Sequence, residues 1–309
     1  MAKKKSLKSL RRRFDARGVF VFVMTPFKST KDRRGNYEPD LDGIARNAAY
    51  FSRIKGDKTL VICGGSGEFH SLSSAEVIAL AEAAVAGVEG RCKIVAGVGG
   101  PDRTAVAMAQ KARDVGCDVA LVLPHPPVTQ RGEKAIWERH RAIARATDIG
   151  LMPFRVGSQP LSPQLVERFA GLDNVVAIKE ESNAVDWVRT GVRLTKGSIP
   201  IITGGGENMV PYYYLAGSIG FTTGMANVSL PQSVTLHNVS LRRNWVKSME
   251  WRDYFEPLTD MRTLYGNAML KAGLEILGLA GGPIRATGEV LDAGKRRKVR
   301  QLMEEKGLL

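Results

Sequence analysis

The stretch VVAIKEES, Val175 to Ser182, places a lysine directly after a short apolar run. Valine, alanine and isoleucine in unbroken succession are typical of a strand that is buried on both faces of a parallel sheet. Side chains alternate along a strand, so we expect Val175, Ala177 and Lys179 to share one face. Burial penalises an ammonium group, so this lysine would have a lowered pKa and could attack a carbonyl carbon. A strand-end lysine that reaches solvent, or pairs with a following glutamate, is the alternative.

Similar apolar runs recur along the chain, and helical stretches separate them. This alternation predicts a parallel sheet, and eight such units predict a closed (β/α)8 TIM barrel of the α/β class. A doubly wound open sheet is the alternative, but it usually has fewer strands. The predicted strands are Val19–Met24, Thr59–Cys63, Lys93–Ala96, Val119–Leu123, Gly150–Phe154, Val175–Ile178, Ile199–Thr203 and Ile219–Thr223.

The helical stretches between the strands have the periodicity of amphipathic helices. Ser73 or Ser74 can cap the first of them, with Glu76 in its opening turn. After Thr223 the pattern is helical only, which is more than one closing barrel unit needs. The predicted helices include Ser74–Val88, Arg103–Val115, Gly132–Thr147, Pro163–Phe169, Leu230–Arg243, Val246–Tyr254, Glu256–Leu277 and Ala293–Lys306.

The pattern of elements suggests three parts of the chain. Residues 1–17 form a basic N-terminal arm, residues 18–230 the barrel, and residues 231–309 a closing helix with a C-terminal helical appendage. The start of the arm, MAKKKSLKSLRRRF, is not followed by an apolar stretch of the signal-peptide type. We expect a solvated arm; an amphipathic anchor on an anionic membrane surface is the alternative.

Composition limits the function classes. Hydrophobic residues make up 44% and charged residues 25% of the chain, as in globular proteins with a sizeable core, and no apolar run is long enough for a membrane span. Three cysteines, few and odd in number, indicate reduced thiols and a cytoplasmic setting. The cysteines and the four histidines lack the spacing of metal ligands, so we expect no metal.

The net charge of +14 raises the question of a nucleic-acid partner. The basic residues are spread over the whole chain, and their local clusters have no interleaved aromatic residues. A basic surface can instead steer anionic substrates towards a site. We therefore expect no nucleic-acid partner; a nucleic-acid binder would show affinity that falls steeply with salt.

The C-terminal ends of barrel strands, where active sites of such barrels lie, are rich in glycine here. Glycine lets backbone amides approach a bound anion closely. The loop GGSG, Gly64–Gly67, follows one strand and precedes a helix, so its amides and the Ser66 hydroxyl would bind a carboxylate. Gly97–Asp102 lacks the third glycine of a dinucleotide fingerprint, so no nicotinamide, flavin or ATP is expected. Other strand ends contribute Thr25, Gly205 and Thr223 as candidate substrate-binding residues.

Eight motifs follow one another in order: VMTPF at Val23–Phe27, GGSGEF at Gly64–Phe69, SLSSAE at Ser71–Glu76, AGVGG at Ala96–Gly100, IKEES at Ile178–Ser182, TGGGEN at Thr203–Asn208, GMANV at Gly224–Val228 and KAGLEILGLAGGPIR at Lys271–Arg285. From about Gly18 to the C-terminus this set resembles the dihydrodipicolinate synthase / N-acetylneuraminate lyase superfamily. The resemblance implies a (β/α)8 barrel with C-terminal helices, usually tetrameric, that acts on 2-oxo acids without metal or organic cofactor. It also implies that Lys179 is the Schiff-base lysine and that Gly65 and Ser66 hold the carboxylate of the 2-oxo acid.

Several positions depart from that family pattern. Family enzymes usually have a tyrosine at the end of strand five, whose phenol shuttles protons, and this chain has Phe154. The tyrosine pair after strand four is replaced by PHPP at residues 124–127, and the arginine that receives the aldehyde's carboxylate in the synthases is replaced by Gln159. The family usually has two adjacent residues whose hydroxyls bind the carboxylate, and this chain has Gly65 in place of the first of them. Dihydrodipicolinate synthesis itself is therefore not expected.

Two residues are candidates for the missing functions. His125 would transfer protons in place of the tyrosine, or it is a loop histidine bonded to the backbone. Arg155 would bind a second substrate carboxylate, or it points outward into a surface ion pair. Water or a hydroxyl of the substrate could also carry the proton.

The sequence thus predicts a class I lyase in which Lys179 forms an imine with pyruvate or a longer 2-oxo acid. Aldol cleavage, its reverse, or loss of water or ammonia would follow, and the loop GGSGEF resembles branches such as 5-dehydro-4-deoxyglucarate dehydratase. We expect a small-molecule 2-oxo acid as partner and a homo-oligomer, tetramer or dimer. The alternative is a catalytically degenerate member that binds a 2-oxo acid as a non-enzymatic or regulatory protein, because Phe154 cannot transfer a proton.

Overall fold

The computed structural model of the protein describes residues 14–309, so the predicted basic arm lies outside the described residues up to Arg13. The predicted (β/α)8 barrel is confirmed: eight strands pair in parallel and close on themselves. The strands are β1 (Gly18–Phe22), β2 (Phe27–Lys31), β3 (Tyr37–Pro39), β4 (Lys58–Ile62), β5 (Lys93–Val98), β6 (Val119–Val122), β7 (Gly150–Val156), β8 (Ile178–Glu181), β9 (Ile201–Thr203) and β10 (Gly220–Thr223). Round the barrel the order is β1-β10-β9-β8-β7-β6-β5-β4, and β2 and β3 form a separate antiparallel hairpin.

Helices cover the outside of the barrel and its C-terminal end. They are α1 (Leu41–Arg53), α2 (Ser74–Val88), α3 (Asp102–Asp114), α4 (Pro126–Thr129), α5 (Glu133–Ala146), α6 (Pro163–Phe169), α7 (Val185–Thr195), α8 (Val210–Leu215), α9 (Ala226–Leu241), α10 (Trp245–Ile276) and α11 (Ala293–Glu305). None of the helices that the structure describes has the length and apolar character needed to cross a bilayer.

The C-terminal helices differ from the prediction in where they break. The boundary expected at residue 230 falls inside α9, next to a kink at Ser229. The two helices predicted on either side of Phe255 are continuous there, and α10 is interrupted at Gly266 instead. Gly266 has a φ of +57°, a backbone conformation that glycine adopts without steric cost.

The interior of the barrel holds its own apolar core, separate from the core between strands and helices. Phe14 and Ala16, which were predicted to be part of the basic arm, belong to this inner core with Phe20. The prediction that Val175 shares a face with Lys179 is wrong, because Val175 packs in the outer core. Regular pairing of β8 starts only at Ile178, and the irregular backbone before it breaks the expected alternation.

Asn227, in the first turn of α9, links the first and the last strand of the barrel. Its side-chain amide donates to the carbonyl oxygens of Phe22 (2.8 Å) and Gly224 (2.7 Å), and its Oδ1 accepts from the Met24 N–H (3.0 Å). Met24 and Asn227 are 203 residues apart in sequence. The amide therefore fastens the segment after β1 to the segment after β10, at the rim where we expect the active site.

Candidate active site

A cavity of about 210 Å³ lies at the C-terminal ends of the barrel strands. Apolar rings, two acidic groups, two cationic groups and glycine-rich backbone form its wall. The lining residues are Phe22, Gly65, Ser66, Phe154, Lys179, Glu181, Gly205, Gly206, Glu207, Thr222, Thr223, Gly224, Met225, Thr259 and Arg262. The structure thus brings together six of the residues selected from the sequence: Gly65, Ser66, Phe154, Lys179, Gly205 and Thr223.

Lys179 projects from β8 into the barrel, and its side chain is only 4% exposed. Its partner in the neighbouring strand is Phe154, and the amine lies 3.7 Å from the centre of the Phe154 ring and 4.5 Å from that of Phe22. The amine forms an ion pair with Glu181. Burial lowers the pKa of Lys179, and the charge of Glu181 opposes that shift. The site thus holds an amine that is easier to deprotonate than an exposed lysine.

Glu181 is two residues beyond Lys179 on the same strand, so both side chains point to the same side. The glutamate is 41% exposed, which places it between the buried amine and the opening of the cavity. Gly204, at the end of β9, leaves room for it: a Cβ there would lie 2.3 Å from the Glu181 Cγ. A larger residue than glycine at position 204 would displace this carboxylate.

The loop with Gly65 and Ser66 turns tightly between β4 and the following 3₁₀ turn at Phe69–Ser71. A Cβ built on Gly65 would meet no atom within 4 Å, so this residue faces open space. Thr25 does not line the cavity; its hydroxyl donates to the Gly67 carbonyl oxygen at 2.6 Å. Thr25 therefore supports the loop from behind rather than contacting a ligand.

A buried charge cluster fixes the same loop from the other side. Lys271 of α10 lies 2.6 Å from a carboxylate oxygen of Glu68 and donates to the Pro283 carbonyl oxygen at 2.6 Å. The Arg285 backbone N–H donates to Glu68 at 2.8 Å, and its guanidinium binds Glu76 with two hydrogen bonds of 2.6 and 3.0 Å. Glu76 also closes the predicted capping box with Ser73 at the start of α2. The motif KAGLEILGLAGGPIR thus acts as the support of the Gly65–Ser66 loop.

Arg262 of α10 lines the cavity and was not selected from the sequence. Its Nη2 lies 3.4 Å from the Ser66 hydroxyl, and burial lowers its pKa. No carboxylate oxygen of the described residues lies within 4.0 Å of the guanidinium, although Glu207 and Glu181 act on it from farther away. A partly buried cation without a contacting carboxylate favours an anionic ligand next to Ser66. No pattern of residues around position 262 in the sequence indicates that the Arg262 side chain reaches the cavity.

Glu207 was also missed, although it stands within the quoted motif TGGGEN. It is 3% exposed, and its two carboxylate oxygens accept from the hydroxyls of Thr223 (2.9 Å) and Ser233 (2.7 Å). Burial raises the pKa of Glu207. An acidic residue after three glycines at a strand end was the signal that could have identified it.

Besides Thr25, the structure places His125, Gln159 and Arg155 outside the lining of the cavity. His125 precedes α4, and burial and the charge of Arg139 lower its pKa. Gln159 accepts from the Val156 N–H at 3.2 Å within its own turn. We therefore no longer assign proton transfer to His125 or substrate binding to Gln159.

Arg155 points out of the barrel into an ion pair, as one of the two alternatives predicted, but the pair is buried and does not lie at the surface. It follows Phe154 on β7, so alternation turns it to the outside of the barrel. Its Nη1 donates to Glu180 at 2.7 Å, and the guanidinium lies 4.8 Å from the centre of the Trp187 ring. A residue held this way cannot reach a substrate that touches Lys179.

The residues that the structure describes contain no group of three or more histidine, cysteine, aspartate or glutamate side chains arranged to hold a metal ion. The three cysteines are free thiols, and Cys63 and Cys117 are buried. The arrangement provides an amine, a carboxylate beside it, and, from the Gly65–Ser66 loop and Arg262, hydrogen-bond donors of the kind that suit an anion.

Comparison with known proteins places the chain in a family. The sequence profile of the Dihydrodipicolinate synthetase family matches residues 15–306. A 4-hydroxy-tetrahydrodipicolinate synthase of Synechococcus sp. is 30% identical over 300 residues, which cover 94% of each chain. A probable 5-dehydro-4-deoxyglucarate dehydratase of Paracidovorax citrulli is 26% identical and covers 94% of this chain and 95% of its own.

Solved structures agree with this placement. The crystal structure of dihydrodipicolinate synthase from Oceanobacillus iheyensis superposes with a TM-score of 0.84 at 25% identity. The match covers 98% of this chain and 100% of that one. Fold, strand-end motifs and profile match agree along nearly the whole chain, and the protein therefore belongs to the Dihydrodipicolinate synthetase family, a family of lyase-type enzymes.

Proposed function

We propose that the protein is a class I lyase that forms an imine between Lys179 and the C2 carbonyl of pyruvate or a longer 2-oxo acid. One observation carries the proposal: a buried lysine amine of lowered pKa opens into a cavity that also contains the Ser66 hydroxyl and the Arg262 guanidinium, groups suited to bind a carboxylate. A protonated imine withdraws electrons from the neighbouring carbon, which is what aldol cleavage, condensation and dehydration need.

The anion-binding end supports a substrate that carries a carboxylate next to its carbonyl group. The open backbone at Gly65, the Ser66 hydroxyl and the Arg262 guanidinium lie at one end of the cavity. A 2-oxo acid would place its C1 carboxylate there and its C2 carbonyl at the amine of Lys179. Arg262 would donate hydrogen bonds to this carboxylate in place of the hydroxyl that Gly65 lacks.

We further propose an aldolase or dehydratase activity rather than dihydrodipicolinate synthesis. Relatives named as synthases and as dehydratases match the chain at similar identity, so the choice rests on the residues. Phe154 has no phenol, Gln159 bonds within its own turn, and Arg155 pairs with Glu180 on the outside of the barrel. No residue at these positions supplies the second carboxylate site that the synthases use.

The second candidate is a degenerate member that binds a 2-oxo acid without turnover. The ring of Phe154 against the amine favours it, because no hydroxyl is present there for proton transfer. Imine formation without release of product from any 2-oxo acid would support this candidate.

The remaining expectations are also proposals. We propose a homo-oligomer, tetramer or dimer, without a nucleic-acid or membrane partner, acting in the cytoplasm. The free and mostly buried cysteines support the reducing setting. We also propose the division of the chain into a basic arm, a barrel and a C-terminal helical region.

Borohydride trapping tests the proposed function. The protein is incubated with each of a panel of 2-oxo acids, reduced, and read by intact mass and peptide mapping. We expect one adduct per chain, on Lys179, and none in Lys179→Met. The second buried lysine, Lys271, serves as the internal control and should stay unmodified. No adduct with any 2-oxo acid, from a protein shown to be folded, would refute imine chemistry.

A further inference from the structure

We propose that Glu181 performs the proton transfers of imine formation that a tyrosine at position 154 would otherwise perform. The inference rests on the proposed function, since it assigns a catalytic role within the same cavity. It starts from a contact: the carboxylate of Glu181 binds the amine of Lys179, and both line the cavity.

Among the groups around the Lys179 amine, Glu181 is the one that can accept and donate a proton. The rings of Phe154 and Phe22 lie 3.7 and 4.5 Å from it and have no exchangeable proton. Among the described residues, Glu181 is the hydrogen-bond acceptor of the Lys179 amine. Its 41% exposure lets it exchange protons with water at the mouth of the cavity. A general acid or base needs both of these contacts.

The neighbouring strand makes room for the glutamate at this position. Gly204 lies so close that a Cβ on it would be 2.3 Å from Cγ and 2.7 Å from Cβ of Glu181. The backbone N–H of Gly204 donates to the Glu180 carbonyl oxygen at 2.6 Å, which fixes the two strands at this point. The absence of a side chain at Gly204, directly after β9, therefore leaves the room that the Glu181 side chain occupies beside the cavity.

The other charged groups near Glu181 are engaged differently. Glu180 points outward and pairs with Arg155. Both carboxylate oxygens of Glu207 accept hydrogen bonds, from the hydroxyls of Thr223 and Ser233. Arg262 approaches from α10 and faces Ser66. Lys179 itself is the remaining charged partner of Glu181. Neither of the other two acids contacts the amine.

The proton balance of imine formation closes with one carboxylate. Glu181 first takes a proton from the Lys179 ammonium, and the amine lone pair then adds to C2 while the carbonyl oxygen takes that proton. Glu181 next removes a second proton from nitrogen and delivers it to the C2 hydroxyl. The hydroxyl leaves as water as the nitrogen lone pair forms the C=N bond. The products are a protonated imine, one water molecule and the regenerated carboxylate.

The variant Glu181→Gln tests this assignment through the rate of adduct formation with pyruvate. We expect the rate to fall by roughly 10²- to 10⁴-fold, the range for loss of a general acid–base group, while the adduct still forms on Lys179 at long times. A purely electrostatic role predicts the opposite sign. Removing the carboxylate would lower the pKa of Lys179 further, so more neutral amine would be present near neutral pH and the rate would rise.

A rescue experiment sharpens the test. Phe154→Tyr in the Glu181→Gln background places a phenol over the amine, and we expect it to recover at least tenfold of the lost rate. Glu250→Gln is the matched control, because Glu250 lies near the start of α10, outside the cavity lining, and forms an exposed ion pair with Lys247 at 3.9 Å. Its rate should equal that of the unchanged protein.

The outcomes separate the two proposals. An adduct in the unchanged protein, with an equal or higher rate in Glu181→Gln, would overturn the role of Glu181 and leave the imine mechanism standing. No adduct in the unchanged protein would overturn the proposed function and this inference with it. A slower rate that Phe154→Tyr restores supports both.

Discussion

Two lysines of this barrel, Lys179 and Lys271, are almost equally buried but have different surroundings. Both amines lie over phenylalanine rings and both are paired with a glutamate. Burial lowers the pKa of each. Residue type, burial and the sign of the pKa shift are therefore the same for both lysines, and they do not separate the lysine that we propose to be reactive from the other one.

The partners of the two amines make the difference. Glu68, the partner of Lys271, is 9% exposed and also accepts a hydrogen bond from the Arg285 backbone N–H. The Lys271 amine donates a further hydrogen bond to the Pro283 carbonyl oxygen. The ion pair with Glu68 and the hydrogen bond to Pro283 both favour the protonated, charged form of the Lys271 amine. Glu181, the partner of Lys179, is 41% exposed at the cavity. A lysine with one replaceable partner is free to react, while one with several buried partners supports the fold.

Lys179→Met should have the largest effect on activity. The nucleophile is lost, so we expect no adduct and a fall in turnover of about 10³-fold or more. The free energy of unfolding should stay unchanged or increase, because a buried charge is removed and Glu181 remains accessible to water. Trapping and denaturant unfolding measure both quantities. A marked loss of stability in this variant would contradict the distinction between the two lysines.

Lys271→Met should have the largest effect on stability. It leaves Glu68 buried without its cation, and breaking a buried pair in this way costs about 3–5 kcal/mol. Denaturant unfolding measures the loss. At temperatures where the variant is folded, the adduct should still form on Lys179. A variant as stable as the unchanged protein would show that Glu68 does not need this amine.

Arg262→Gln tests the anion-binding end of the cavity beside Lys179. Loss of a charge-assisted hydrogen bond of about 1.5–3 kcal/mol should raise the half-saturating 2-oxo acid concentration roughly 10- to 100-fold. The mass of the trapped adduct and its position should not change. Arg252→Gln, on the same helix but outside the cavity, is the matched control. Equal affinity in both variants would remove Arg262 from the site.

The pH dependence of trapping follows from the lowered pKa of Lys179. The amine is protonated below its pKa and neutral above it, so the initial rate should rise with pH and level off. Because burial shifts the pKa down, the midpoint should lie below 10.5, the ordinary value of a lysine. Initial rates of adduct formation against pH give this midpoint. A midpoint at or above 10.5 would mean that Glu181 outweighs burial.

Ser73→Ala should have the smallest effect. Loss of the cap of α2 should cost about 1 kcal/mol of unfolding free energy. Arg285 retains its two hydrogen bonds to Glu76, so the loop at Ser66 and the rate of adduct formation should not change. Ser74→Ala is the control, because Ser74 is the first helical residue and not the cap. A slower adduct would show that the capping box reaches the active site.

The barrel could be predicted from the sequence because its strands are continuous apolar runs of β-branched residues, a local signal. The hairpin of β2 and β3 could not, since FKSTK is largely exposed and has no apolar period. Lys179 and the Gly65–Ser66 loop were found because both stand at strand ends. Arg262 was missed because it reaches the cavity from a late helix, through tertiary packing alone.

The position of Arg155 was within reach of the sequence. Phe154 takes the inward position of β7, so alternation assigns its neighbour to the outside. The role given to His125 failed for another reason. A loop after a strand end has no fixed direction, so nearness in sequence to the active rim does not determine where its side chain points.

The Asn227 amide also has a consequence for biosynthesis. The wall of the active cavity includes Phe22, whose carbonyl oxygen accepts from the Asn227 amide, so this contact forms only after about three quarters of the chain has been made. Shorter nascent chains hold Lys179 without the closed barrel around it. We expect ribosome-bound fragments that end before β10 to form no imine, because the barrel around Lys179 closes only when β10 pairs with β1.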